Sequence, residues 1–362
     1  MTKRMEWLDA LRGFTMILVV AYHVGQMCFG MNLKTSTSMP FVVLFRMPLF
    51  FFVSGFLVYK VGRQWSLGQL GTLVWKKFRI QVFPTLVFLC VFLIVRTPDF
   101  WEGLQKAMCS ATKYGYWFTW ALLIMFLVYY VAEYVIAAFS STSLARRLKC
   151  ACPWLTANTV IVALWLLSLA AYETAYMPTF FSYPKSEFMR YSSLIQVVYY
   201  LHFFLFGNIV RRYWDRFQRL MDSKWFFPLL MVVAFVCCAD TLKWHTLRMM
   251  WANLPRTVAM YSMMMVFVMF FRANEHAFSH ETRLGRTLQY IGVRTLDVYL
   301  LHFILMPRLR MVGPWLDAHH PNFLLEQVAT LSVAMVVVAF CCFVSAVLRT
   351  SPILKKHLFG RK

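Results

Sequence analysis

Ten stretches of this chain are apolar for long enough to cross a bilayer, and no other feature constrains its fold as strongly. They fall at residues 8–29, 40–59, 79–95, 117–138, 155–172, 194–210, 225–239, 251–271, 289–306 and 323–348. A backbone in hydrocarbon must satisfy its own hydrogen bonds, so runs of this length fold as helices. Of the 362 residues, 60% are hydrophobic and 14% are charged, which departs from soluble domains on both counts. The expected class is all-α: a polytopic integral membrane protein of about ten transmembrane helices.

The basic residues test that reading independently, because cytoplasmic loops carry the excess of Lys and Arg. With the N-terminus inside, the segments on its side of the membrane hold 23 of the 37 basic residues and the opposite loops hold 10. The remaining four, Arg12, Arg46, Arg256 and Arg294, fall within apolar runs. A missed or extra helix would scramble this alternation. An even number of spans with both termini cytoplasmic is therefore expected, in the cell (cytoplasmic) membrane. The net charge of +22 is spread over all the inner loops, a pattern for setting topology and meeting anionic lipid and not for a nucleic-acid site.

The N-terminus is basic and then apolar, as in a signal peptide, but Asp9 and Arg12 interrupt the run and no small-residue cleavage site follows, so this helix is expected to be retained. Most of the nine cysteines lie within or beside apolar runs as small packing residues. Cys150 and Cys152 have no neighbouring metal ligands, so neither a metal site nor a disulfide framework is expected. No linker divides the chain, which reads as one membrane domain over 1–362. Trp101, Trp117, Trp120, Trp214, Trp225, Trp244, Trp251 and Trp315 fall near the ends of apolar runs, as an interfacial belt does.

Within this apolar background the ionisable residues stand out, since a buried charge in a membrane helix is costly and marks function. His23 lies eleven residues after Arg12. Eleven steps of about 100° return the two side chains to within about 20° of each other, roughly 16 Å apart along the axis. One face of the first helix thus carries a cation near one membrane surface and an imidazole toward the other. Asp9, three residues before Arg12, can partner the guanidinium. In the second run, Arg46-Met47-Pro48 leads through three phenylalanines to Ser54-Gly55, a pair that reads equally as a ligand contact or as small-residue helix packing. Arg294 and Asp297 are three apart, a spacing that suggests a pair. Glu133, Glu173 and His202 lie in or beside spans with no partner assignable from spacing. His276 and His280, four apart beside Glu275 and Glu281, suggest a solvated surface.

Taken together these residues resemble a known family. Arg12 and His23, spaced as R-x10-H within L-D-A-L-R-G, and the following M-P-L-F-F-F-V-S-G-F are similar to the signature of the membrane-bound acyltransferase 3 family, in particular its fucose 4-O-acetylase-like branch. Lys76-Lys77-Phe78-Arg79-Ile80 before Pro84, FFLFG at Phe203–Gly207 and GVRTLDVYLLH at Gly292–His302 extend the likeness over most of the chain. Arg46 departs from it, standing where that branch often has His, and Thr295 replaces the usual Ser.

The resemblance implies about ten helices and transfer of an acyl group, acetyl foremost, from cytosolic acyl-CoA to a hydroxyl of an extracytoplasmic carbohydrate or glycolipid, without a metal. Under it His23 is the general base, with Arg12 and Asp9 completing the catalytic set. Arg12, Ser54, Gly55, Lys76, Lys77 and Arg79 would bind the CoA. Arg46, Arg256 and His302 would face the acceptor. Membrane lipids are the other expected partner and nucleic acid is not. Two other classes compete: a transporter or flippase of a lipid-linked glycan, which would use intramembrane charges as a pathway, and a non-catalytic sensor or scaffold, whose polar groups would all pair with one another.

Overall fold

The structure is a computed structural model and describes residues 5–143, 156–175, 187–247, 253–319 and 322–358. Cys150, Cys152 and Trp251 lie outside these residues. Among them there is no strand, and nine helices are long and apolar enough to cross a membrane. In chain order the principal helices are α1 (Glu6–Cys28), α2 (Met39–Val58), α3 (Leu67–Arg96), α4 (Trp117–Ser140), α5 (Ala157–Thr174), α6 (Leu194–Arg212), α7 (Phe226–Trp244), α8 (Leu254–Ala273), α9 (Arg283–Val293), α10 (Thr295–Leu305) and α11 (Phe323–Leu348). The protein is a multi-pass, all-α membrane protein.

Two segments differ from the sequence expectation. The run at 289–306 is not one helix. It straddles a break at Arg294, whose backbone leaves the helical region (φ −111, ψ 16), so that amphipathic α9 is followed by α10, a predominantly apolar helix of eleven residues. Helical periodicity cannot see such a break because the residues on both sides of it are apolar. The run at 79–95 begins earlier than expected, at Leu67, so Lys76, Lys77 and Arg79 lie along a helix and not in a loop before one. A π-helical turn at Phe78–Val82 interrupts α3 there, and another at Val24–Cys28 directly follows His23. Such turns recur at functional sites.

The chain forms two compact units, the first from Met1–Phe50 with Gln218–Lys355, the second from Phe51–Phe217 with Lys356–Lys362. In the first unit α1 packs against α8, α9, α10 and α11, and its residues are buried almost without interruption from Trp7 to Ala21. A helix apolar all round belongs at the centre of its bundle. Its closest neighbour is α9. A Cβ at Gly13 would overlap the Leu288 carbonyl, and one at Gly292 would overlap the Asp9 carbonyl. Backbone therefore meets backbone, an approach that glycine alone permits.

The second unit repeats the device between the latter part of α2 and α6. A Cβ at Gly55 would strike the Phe204 carbonyl, and one at Gly207 the Phe52 carbonyl. The same unit buries an ion pair between Glu133 and Arg212, whose side chains are 9% and 4% exposed. Arg212 also donates to Asn208 Oδ1 at 2.6 Å and Asn158 Oδ1 at 2.8 Å. Glu133, unassigned from sequence, thus has its partner on another helix.

Replacing Gly292 or Gly207 by Leu should destabilise the protein by about 1–3 kcal/mol or more through overpacking, read as a lowered melting temperature in detergent. Gly68, with open space around its Cα, provides the control, and Gly68→Ala should melt no lower than the parent. A Gly292→Leu protein that melts with the parent would contradict the crossing.

Candidate functional site

The first unit gathers the ionisable residues of α1 by packing that helix against α10. Near the N-terminal end of α1, Arg12 Nη1 donates to Asp9 Oδ1 at 3.3 Å and Nη2 donates to Thr295 Oγ1 at 3.2 Å. The expected Asp9–Arg12 pair is present, and the hydroxyl that Thr295 keeps in place of Ser is the group Arg12 uses. Near the other end, the His23 ring lies 5.4 Å from that of His302 and 5.0 Å from that of Phe303, centre to centre. Both contacts with α10 occur in the same chain order, so the two helices run parallel.

The hydrogen-bonding state of the two imidazoles follows from their neighbours. His302 is fully buried, and its Nδ1 lies 3.0 Å from the Val298 carbonyl oxygen. A carbonyl only accepts, so Nδ1 carries the proton and Nε2 is bare. That Nε2 is buried without a hydrogen-bond partner, and so is His23 Nδ1. Each unsatisfied buried polar atom costs about 1–3 kcal/mol. Two of them on adjacent rings mark a place where the fold carries a cost that packing does not return.

Arg46 reaches the same neighbourhood. Its guanidinium carbon lies 3.6 Å from the centre of the Tyr22 ring, whose edge meets His23 at 5.4 Å, and its charge acts on the imidazole. Stacking on the aromatic face holds the cation beside the His23 ring. Arg256 sits half-buried in the first turn of α8.

The remaining sequence candidates, Ser54, Gly55, Lys76, Lys77 and Arg79, belong to the second unit. Gly55 is committed to the crossing on α6, and Ser54 beside it is half-buried. Lys77 turns onto the Phe126 ring, with Nζ 3.7 Å from its centre, whereas Lys76 and Arg79, three apart, are both exposed.

Other expectations need correction or completion. Asp297 does not pair with Arg294. It accepts from Ser345 Oγ at 2.6 Å and from Arg349 at 2.6 and 3.1 Å, while Arg294 stacks on Tyr290 at 3.7 Å. The three-residue spacing works only along an unbroken helix, and the chain breaks at Arg294. His280 is not merely solvated, since its backbone N–H and Nδ1 meet the Glu6 carboxylate at 2.8 and 2.9 Å. Sequence reasoning missed Glu326 altogether. Buried in the first turn of α11, it accepts from Ser36 Oγ at 2.6 Å, Thr37 Oγ1 at 2.9 Å and Ser38 N at 2.9 Å, tying down the segment between α1 and α2. An acidic residue opening an apolar helix, with a Ser-Thr-Ser run elsewhere, was the available signal.

Compared with known proteins, residues 5–348 match the Acyl_transf_3 family model, described as an acyltransferase domain. No curated protein and no solved structure matches the chain.

Removing Arg349 should leave Asp297 charged and buried beside Ser345. Arg349→Met should cost about 3–5 kcal/mol, and adding Asp297→Asn should recover much of that loss. Thermal unfolding of the parent, the single and the double variant checks this; equal melting temperatures for the single and double variants would contradict it.

Proposed function

The chain belongs to the acyltransferase 3 family, and from that premise we propose that it is an O-acyltransferase of the cell membrane, acetyl-CoA being its donor. The acceptor in this reading is a hydroxyl of an extracytoplasmic carbohydrate or glycolipid, the product serves polysaccharide modification, and both termini face the cytoplasm. Membership establishes the acyltransferase activity. The observation that supports the finer reading is that one buried helix carries Arg12 and His23 at its two ends, each in contact with α10.

Acyl transfer from a thioester to an alcohol needs a base for the hydroxyl proton and positive charge for the developing oxyanion. His23 Nε2 takes the proton, the hydroxyl oxygen bonds to the acyl carbon, and the C–S bond breaks. The CoA thiolate then recovers the proton from the imidazolium. Arg46, fixed on Tyr22 beside the ring, supplies charge for the oxyanion, and Arg256 contacts the acceptor. At the other end of α1, Arg12 is oriented by Asp9 and Thr295 to hold a phosphate or the pantetheine amide, geometry that a guanidinium matches in two directions at once.

In membranes supplied with labelled acetyl-CoA, His23→Ala should lower transfer by about 10²-fold or more at unchanged protein level. Retained turnover would remove His23 from the mechanism. Arg12→Ala should raise the acetyl-CoA concentration needed for half-maximal rate, and an unchanged requirement would reduce Arg12 to a structural partner of Asp9.

A further inference from the structure

Among the described residues His302 is the one fully buried imidazole that touches the proposed base, and its protonation pattern is fixed by the fold. Because Nδ1 donates to the Val298 carbonyl one turn back, Nε2 has only a lone pair to offer. It is buried with no hydrogen-bond partner, on a ring 5.4 Å from His23, and His23 Nδ1 is the neighbouring buried nitrogen in the same condition. Phe303 packs against the His23 ring and limits its rotation.

We infer that His302 is the positioning residue of the base: its bare Nε2 accepts the His23 Nδ1 proton and thereby fixes the tautomer in which His23 Nε2 is the basic nitrogen. This rests on the reading of His23 as the base and adds which of its nitrogens works and why. Catalytic hydrogen bonds are commonly long in an unliganded enzyme and tighten in the substrate complex, so a ring separation of 5.4 Å requires only a side-chain adjustment. During transfer the Nδ1 proton stays within the pair: His23 Nε2 gains the acceptor's proton, the Nδ1–H bond to His302 carries part of the imidazolium charge, and the CoA thiolate then takes the Nε2 proton. The acceptor-only Nε2 also explains why the residue is imidazole and not an aliphatic side chain, although the site is buried.

The test uses the full-length protein in lipid. An amide oxygen at the end of a glutamine can accept where Nε2 does, whereas methionine fills the volume with a poor acceptor. At equal amounts of folded protein, His302→Met should lower kcat tenfold or more with the acetyl-CoA KM unchanged, and His302→Gln should stay within about threefold of the parent. Full activity of His302→Met, or equal losses in the two variants, would overturn the inference. An independent reading comes from nitrogen-15 NMR of the histidine-labelled parent, with the His23 signal identified by its absence in His23→Ala. The Nδ1–H tautomer is expected, and the Nε2–H tautomer would overturn the proposal without reference to any His302 variant. Failure of the base itself is distinguishable: an active His23→Ala removes both readings, whereas an inactive His23→Ala beside a fully active His302→Met removes this one alone.

Discussion

The crossing of α1 on α9 is the constraint on which the candidate site depends. Gly13 and Gly292 bring the two backbones together, with the Asp9 and Leu288 carbonyls where a side chain would otherwise stand. In a membrane the hydrophobic effect does not favour helix association, and close backbone packing supplies much of the attraction instead. The crossing sets the rotation and depth of α1. Everything else at the site inherits them: Arg12 is one residue from Gly13, α10 starts three residues after Gly292, and the parallel course of α10 then carries His302 to His23. The clamp of Glu326 on the segment after α1 secures the other end of the same helix.

The motifs that look independent in the sequence are partners in space. L-D-A-L-R-G meets G-V-R-T-L-D through Gly13 with Gly292 and through Arg12 with Thr295. F-F-F-V-S-G-F meets F-F-L-F-G through Gly55 and Gly207. Each pair lies within one compact unit. The glycines of these motifs therefore act as packing surfaces, and the polar residues beside them are delivered to fixed positions. For Gly55 this accounts for the residue without a ligand.

What the sequence reveals about this protein is governed by the range of the interaction. The spans are local sums of hydrophobicity and could be read directly, as could the shared face of Arg12 and His23, which follows from helical period alone. The Asp9–Arg12 pair is likewise a matter of three residues along one helix. The failures are of two kinds. One is the backbone departure invisible to apolar periodicity, as at Arg294, where a non-helical residue splits an apolar run, and at Lys76–Arg79, where an amphipathic opening extends α3 beyond its hydrophobic core. The other is the distant partner: Asp297 finds Arg349 fifty-two residues on, Glu326 finds Ser36 across 290 residues, and Glu133 finds Arg212 on another helix. No local spacing encodes these. The proximity of His302 to His23 belongs to the second kind, although equal depth in the membrane could be argued from span order and charge alternation.

The central claim is directional. In the proposed reaction one helix carries the donor's anchor at Arg12 and the base at His23, roughly 16 Å apart, and donor and acceptor approach from opposite faces of the membrane. The most direct measurement uses sealed proteoliposomes of uniform orientation, with labelled acetyl-CoA confined to the face bearing the termini and an acceptor glycan supplied to either compartment. The account predicts labelled glycan in the opposite compartment alone. Labelling confined to the compartment that holds the acetyl-CoA would contradict it.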